Sequence, residues 1–141
     1  MRIYIASSWK NETVVLALSH VLRKDGFEVD CFTDASTGRF IFPIAEIQSW
    51  TELNAKEFLA HPMSQRAFEE DKKWLNWCDC CLLVLPAGNS AHIEAGYAKG
   101  RGKKLIVYSP EGFKKGKYDV MYGFADVITD SYKDIICLLE E

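Results

Sequence analysis

Apolar and polar positions alternate along the chain in two rhythms, short β-type runs separated by longer helical ones. The run RIYIAS at 2–7 is apolar and β-branched and predicts a first strand. Asn11 or Glu12 can open the next element, in which Val15, Leu18 and Leu22 recur at helical spacing and Gly26 ends the pattern. FEVDCF at 27–32 predicts a second strand. Strand, helix and strand in so short a stretch form a βαβ unit, which requires a parallel pair and a right-handed crossover.

Residues 33–60 break the rhythm with turn residues, aromatics and a proline but no clear period. They predict a long excursion with one short helix near 51–60. Connections of this length in compact domains are usually functional or act as lids, and Phe40, Phe42 and Trp50 suit either a lid or a partner surface. Pro62 fits a first helical turn. The following MSQRAFEEDKKWLNW predicts a helix with Phe68, Leu75 and Trp74 on its buried side. CDCCLLVLP is the most apolar run and predicts a central strand buried on both faces. A helix over 90–101, ending at Gly100 or Gly102, precedes KKLIVYS as a fourth strand and ADVIT as a short fifth. SYKDIICLLEE closes the chain as a helix capped by Ser131. The expectation is a single α/β domain over residues 1–141. It is doubly wound, Rossmann-like or flavodoxin-like, with a five-stranded parallel sheet in the order 2-1-3-4-5.

Composition narrows the partners. The 141 residues are 48% hydrophobic and 26% charged, which is globular, and the net charge of −3 disfavours a nucleic-acid backbone as ligand. The basic stretch Lys114-Lys115-Gly116-Lys117 is ascribed to a solvated loop. No apolar stretch reaches the length of a membrane span, and the opening residues lack the layout of a signal peptide. A cytoplasmic chain without a membrane partner is expected. The five cysteines follow no framework spacing. Strand alternation should put Cys78 and Cys80 on one face and Cys81 on the other, so that they cannot converge on a metal. They are expected to be reduced core residues, and neither a metal nor a cofactor is expected.

Open α/β sheets bind ligands outside the carboxyl ends of their strands, where the strand order reverses. In the expected order that point lies between the first and third strands, beside Ser7, Ser8 and Trp9 and residues 86–90. Here LVLPAGNSAHIEAGYAKG runs from strand to helix. Gly88 permits an unusual backbone, Asn89 or Ser90 can cap the helix, and its free N–H groups favour an anion such as a phosphate. Glu94 then stands among Ala91, Ala95, Gly96, Ala98 and Gly100, small residues that pack a helix closely on a sheet. A capping box needs the acid three residues after the cap, whereas Glu94 comes four after Ser90 and five after Asn89. The bland reading is a solvated glutamate near a helix start; the functional one is a carboxylate at the switch point. No P-loop, dinucleotide fingerprint or nucleophile elbow is present. His20 is assigned to a helix surface and His61 to a turn, while His92 flanks the site.

At these residues the chain resembles the nucleoside 2-deoxyribosyltransferase family, including its relatives that hydrolyse deoxynucleoside monophosphates. The matching features, in order, are RIYIAS, the acidic helix FEEDKKWLNWCD, IEAGYAKGRGKKLIVY and YDVMYGFADVI. The resemblance implies an enzyme that cleaves or transfers the (deoxy)ribosyl group of a nucleoside or nucleotide. Glu94 would attack the anomeric carbon, Tyr4 would orient it, and Asp71 would help protonate the leaving base. It also implies that Asp119 and Met121 reach a neighbouring subunit's site in a homo-oligomer, a dimer or larger. Asp79 is taken as structural. The chain departs from the pattern at Gly88, where the transferases carry an aspartate, and at Asp119, where they carry an asparagine. The phosphate-holding serine of the hydrolases has only Ser90 nearby, in a different register. PAGNSAHIEAG also resembles the Gly-rich turn of the cytokinin-activating phosphoribohydrolases, so a nucleotide-binding or sensing module without catalysis stands as the alternative. A third possibility is a partner-binding domain using Phe40, Phe42, Trp50 and Trp74.

Overall fold

The computed structural model of the protein describes residues 1–42 and 50–141. The strands are β1 (Arg2–Ala6), β2 (Glu28–Cys31), β3 (Cys80–Val84), β4 (Lys104–Tyr108) and β5 (Val127–Thr129). The helices are α1 (Glu12–Lys24), α2 (Ala55–Ala60), α3 (Pro62–Trp77), α4 (Asn89–Gly100) and α5 (Tyr132–Glu140). The strands form one sheet in the order β2-β1-β3-β4-β5, every neighbouring pair parallel. The fold class expected from the sequence is therefore the one found.

Two apolar layers sandwich the sheet. On one face Ile3, Ile5, Leu82, Val84 and Ile106 meet Val15, Leu18 and Leu22 of α1 and Ile135 and Leu139 of α5. On the other, Tyr4, Ala6, Leu83, Leu105 and Val107 meet Leu75 of α3 and Ala91, Ala95 and Ala98 of α4. Every residue of β3 is buried, because its side chains alternate between two covered faces. The alanine seam sets how near α4 comes to the sheet, since a helix lined with alanines can lie close to the strands beneath it.

Several local expectations are corrected. Phe68 is 61% exposed, not buried. The apolar core touches only the carboxyl-terminal part of α3, through Leu75 with Trp74 and Trp77 partly buried. Phe68 lies two turns upstream of Leu75, where α3 meets the segment around Arg39 and Phe40 through Arg66, Glu70 and Asp71, and its ring is faced by Lys72 at 5.9 Å. Periodicity identifies a helix face but not how far along the axis the sheet reaches. Cys78 joins Cys81 on the α4 side while Cys80 faces α1 and α5. Cys78 ends α3, two residues before β3 begins, so strand alternation does not extend back to it.

Neither Asn89 nor Ser90 caps α4. The cap position is Gly88, with no side-chain hydrogen bond. Ser131 holds the cap position of α5 but its side chain caps nothing; its N–H donates to Thr129 Oγ1 at 2.9 Å. Asp79 is structural as expected, accepting from the Arg2 backbone N–H at 2.9 Å and pairing with its guanidinium at 2.8 Å. In the excursion, the helix α2 is capped by Asn54, which accepts from the Glu57 N–H at 2.9 Å. The stretch 43–49 of that excursion lies outside the described residues, so the lid reading is addressed only at Phe40 and Phe42. Phe42 packs edge-on to Phe58, with 6.3 Å between ring centroids.

Leu82 lies at the centre of the sheet, fully buried in the α1–α5 layer. Leu82→Ala should lower unfolding free energy by about 2–5 kcal/mol in chemical denaturation, with an unchanged denaturant slope.

Candidate active site

The site begins with two strands side by side. β1 and β3 pair directly, with Tyr4 opposite Cys81 on one side and Asp30 of β2 on the other. Tyr4 points into the α3–α4 layer and is 1% exposed. A phenol so placed needs a partner for its hydroxyl, and α4 supplies one. Ala91, Ala95 and Ala98 seat α4 on the sheet, and the half-buried Glu94 then meets the end of the Tyr4 ring. The Tyr4 hydroxyl donates to Glu94 Oε2 at 2.6 Å.

Electrostatics make this pair unusual. Burial pushes the Glu94 carboxyl up to about 7, against the Tyr4 hydrogen bond, which lowers it. The negative charges of Asp71 and Asp30 raise it further, and the Arg39 guanidinium lowers it. The Tyr4 phenol is itself pushed well above its ordinary value by burial and then by the charge of Glu94. Tyr4 is therefore a fixed donor, and Glu94 is the member of the pair that titrates near neutrality.

Asp71 of α3 belongs to the same cluster through a residue that the sequence did not single out. Arg39, 5% exposed, donates from Nη2 to Asp71 Oδ1 at 2.6 Å, from Nε to Asp30 Oδ1 at 3.2 Å and from Nη1 to the Phe40 carbonyl at 3.2 Å. Asp30, 3% exposed, is pushed up to about 6 by burial despite Arg39, and its Oδ2 is buried without a partner among the described residues. Burial also raises Asp71, again against Arg39. The neighbouring Glu70 accepts from the Phe40 N–H at 3.1 Å and from Trp74 Nε1 at 3.0 Å. The acidic helix thus pins down the start of the excursion. Asp30 had a signal in the sequence, an acid in the middle of an apolar strand run. Arg39 had none, because it reaches its partners by tertiary folding alone.

The remaining candidates serve two other purposes. Ser7 donates to the Val84 carbonyl at 2.7 Å and accepts from Asn11 Nδ2 at 3.2 Å, and Asn11 also donates to the Pro86 carbonyl at 2.7 Å. Together they staple the carboxyl ends of β1 and β3. Ser8 accepts from the Lys10 N–H at 3.2 Å, and the exposed Trp9 packs edge-on to Phe32 at 5.2 Å. Gly88, Asn89 and Ser90 are exposed at the start of α4.

His92, two positions before Glu94 and so about 200° round the helix, looks the other way. Its Nδ1 lies 2.8 Å from the Gly88 carbonyl, which can only accept, so that in the neutral ring Nε2 is the acceptor for the Tyr122 hydroxyl at 3.0 Å. His92, Asp119 and Met121 line a cavity of about 200 Å³ with Tyr122 and Phe124. Asp119 caps a 3-10 turn, Val120–Phe124, by accepting from the Met121 N–H at 2.8 Å. A larger cavity of about 460 Å³ lies beside Leu85, Pro86 and Ala87, with Lys114 and Lys117 at its edge. Glu94 lines neither cavity. The structure therefore gathers Tyr4, Glu94 and Asp71 into one cluster and places His92, Asp119 and Met121 in another. Among the described residues no group of three His, Cys, Asp or Glu side chains is placed to hold a metal ion, and no helix is long and apolar enough to cross a membrane.

No family model matches this chain, and no curated protein matches it in sequence. Solved structures do match its fold. A 2-deoxyribosyltransferase from Bacillus psychrosaccharolyticus superposes with a TM-score of 0.68 at 19% identity, over 96% of this chain and 90% of that one. The CMP N-glycosidase BcmB of Clostridium botulinum gives 0.55 at 19% identity, over the whole of both chains. The response regulator TrrA of Thermotoga maritima gives 0.50 at 15% identity, over 99% of this chain and 93% of that one. The chain thus has the parallel α/β fold shared by these three, and one of them is a regulator rather than a glycosidic enzyme, so the fold by itself does not select an activity.

The raised Glu94 carboxyl also bears on stability. An unfolded glutamate titrates near 4.5 and the folded one near 7, so the folded state binds the proton more tightly. That stabilisation is complete below the unfolded value and is lost as pH rises through about 7. Glu94→Gln should therefore be more stable than the wild type at pH 8, by about 3 kcal/mol, with the difference closing towards pH 4.5. Thermal unfolding of both proteins across that range measures it.

Proposed function

We propose that the protein breaks the N-glycosidic bond of a nucleoside or nucleotide with Glu94 as nucleophile, either hydrolysing it or passing the (deoxy)ribosyl group to another base. The observation that carries this reading is the 2.6 Å hydrogen bond from buried Tyr4 to a half-buried glutamate that titrates near neutrality. A capping or solvated glutamate would need neither the phenol nor the burial.

The chemistry follows from the cluster. With Oε2 held by Tyr4, Oε1 of ionised Glu94 attacks the anomeric carbon as the bond to the base nitrogen breaks. The bonding electrons leave with the base, and Asp71, 2.6 Å from Arg39 but half exposed on its own side chain, is assigned to supply the proton. Positive charge developing on the sugar ring faces a cluster with more carboxylates than cations, which stabilises oxocarbenium character. The glycosyl ester is then opened by water, giving hydrolysis, or by a second base, giving transfer.

One feature supports a homo-oligomer. Val120, Met121 and Phe124 expose 88%, 58% and 60% of their surface on one short segment, a patch that a second copy would cover. Asp119 and Met121 on that segment are the residues proposed to reach a neighbour's site. The alternative, a nucleotide-binding module without catalysis, is favoured by the 460 Å³ cavity beside the 85–87 turn, which Glu94 does not line.

The test incubates wild type and Glu94→Ala with deoxynucleosides, ribonucleosides, their 5′-monophosphates and a dinucleotide, with and without a second free base, and follows released or exchanged base by chromatography. Release or exchange in the wild type alone is expected. Tyr4→Phe should lower kcat about 10- to 100-fold, the worth of a hydrogen bond to a charged group. In the wild type, release should fall about tenfold per pH unit below about 7 as Glu94 takes up its proton. Silence across the panel from folded wild type, with nucleotide still bound in a calorimetric titration, would select the binding module.

A further inference from the structure

Arg39 belongs to the segment between β2 and the undescribed residues, yet its side chain is far more deeply buried than that of its partner Asp71 on α3. Burying a guanidinium is costly unless each donor is used. Here the planar group bridges two elements, taking Asp30 of β2 through Nε and Asp71 of α3 through Nη2, and Nη1 closes on the Phe40 carbonyl. Asp30 is the register partner of Tyr4, and Tyr4 carries Glu94. One cation therefore sits behind a chain of acids that ends at the proposed nucleophile.

The groups that face this cluster come from every element packed on it. β1 contributes Tyr4, β2 contributes Asp30, α3 contributes Asp71 and Glu70, α4 contributes Glu94, and Cys81 of β3 lies beneath. Among the described residues Arg39 is the buried cation of this group, while the exposed Lys73 of α3 lies 4.0 Å from Glu70. The balance is lopsided: among the described residues the buried oxygen Asp30 Oδ2 has no partner, so Arg39 does not satisfy both carboxylates it touches. Among the described residues Asp71 is anchored through Oδ1, to Arg39.

We propose that Arg39 is a positioning residue for the reacting carboxylates, holding Asp71 by its Oδ1 and setting its positive charge against Asp30, the strand neighbour of the tyrosine that carries Glu94. The proposal rests on the reading of Glu94 as nucleophile. A purely structural Arg39 would staple the excursion to α3 and leave the titration of Glu94 where it is.

Three variants in the 141-residue chain separate these roles: Arg39→Met, Asp30→Asn, and the two combined. The readout is the midpoint of Glu94 by carbon-13 NMR of its labelled carboxyl, assigned with Glu94→Gln, alongside the pH profile of base release. Arg39→Met should raise the midpoint by about one unit or more, move the acid limb of kcat by the same amount, and lower kcat at pH 7 about tenfold with KM little changed. Asp30→Asn, which removes a negative charge whose second oxygen is already unpartnered, should lower the midpoint. The double variant should restore it towards the wild-type value. A folded Arg39→Met with an unmoved Glu94 midpoint would overturn the proposal. If both Arg39 variants fail to fold, Asp30→Asn decides: a lowered midpoint supports the charge balance, and an unmoved one overturns it. Absence of any base release in wild type would sink the glycosidic reading instead, while the NMR midpoints still judge Arg39.

Discussion

A buried phenol, pushed well above its ordinary titration range, holds a carboxylate pushed up to about 7. The bond from Tyr4 to Glu94 is the constraint around which the rest of the site is organised. Tyr4 can be that donor only because β1 lies inside the sheet between β2 and β3, where a ring loses all contact with water. Glu94 can reach it only because the alanine seam lets α4 sit down on the same face. Replace those alanines with leucines and the helix would stand off the sheet by the width of a side chain. The hydrogen bond, the strand order and the helix packing are one arrangement seen at three scales.

The cluster also shows what burying several carboxylates together costs. Asp71 and Asp30 share one guanidinium, Glu94 is bonded by Tyr4 instead, and Asp30 and Glu94 are pushed up to about 6 and about 7. Buried acids raised in this way weaken the fold as pH rises, because the chain must hold charge where water is scarce. The stabilising ion pairs lie elsewhere. Asp34 and Asp79 are both held down to about 2, by Ser36 and Arg23 and by Arg2 respectively, as ordinary structural acids are. The contrast within one chain, acids lowered by partners and acids raised by burial, is what separates the candidate site from its scaffold.

The fold was legible because its signals are local. RIYIAS, FEVDCF and CCLLV carry their strand character in a few residues, and the spacing of Val15, Leu18 and Leu22 marks α1 without reference to anything distant. Glu94 was legible for a related reason: a carboxylate among alanines and glycines has no local explanation. Tyr4 and Asp71 came from the resemblance, and the structure brings both within the Glu94 cluster. What misled was inference one step past a boundary. Strand alternation was extended to Cys78, which belongs to the end of α3, and helical periodicity was extended to Phe68, beyond the reach of the core. The expected caps Asn89 and Ser90 failed because the chain enters α4 one residue earlier, at Gly88.

The sequence by itself determined the strand and helix succession, the parallel sheet and its order, and the acid at the carboxyl side of β3, because each depends on side-chain type and spacing along the chain. Only the tertiary structure decided which charges surround that acid. Arg39 meets Asp71 across 32 positions and Tyr4 meets Glu94 across 90. His92, only two positions from Glu94, is turned to the opposite side of α4 and into another cluster. Proximity along the chain and proximity in space diverge at this site because a carboxylate's titration is set by the dielectric and charges within a few ångströms, and those arrive with distant segments only when the sheet closes over them.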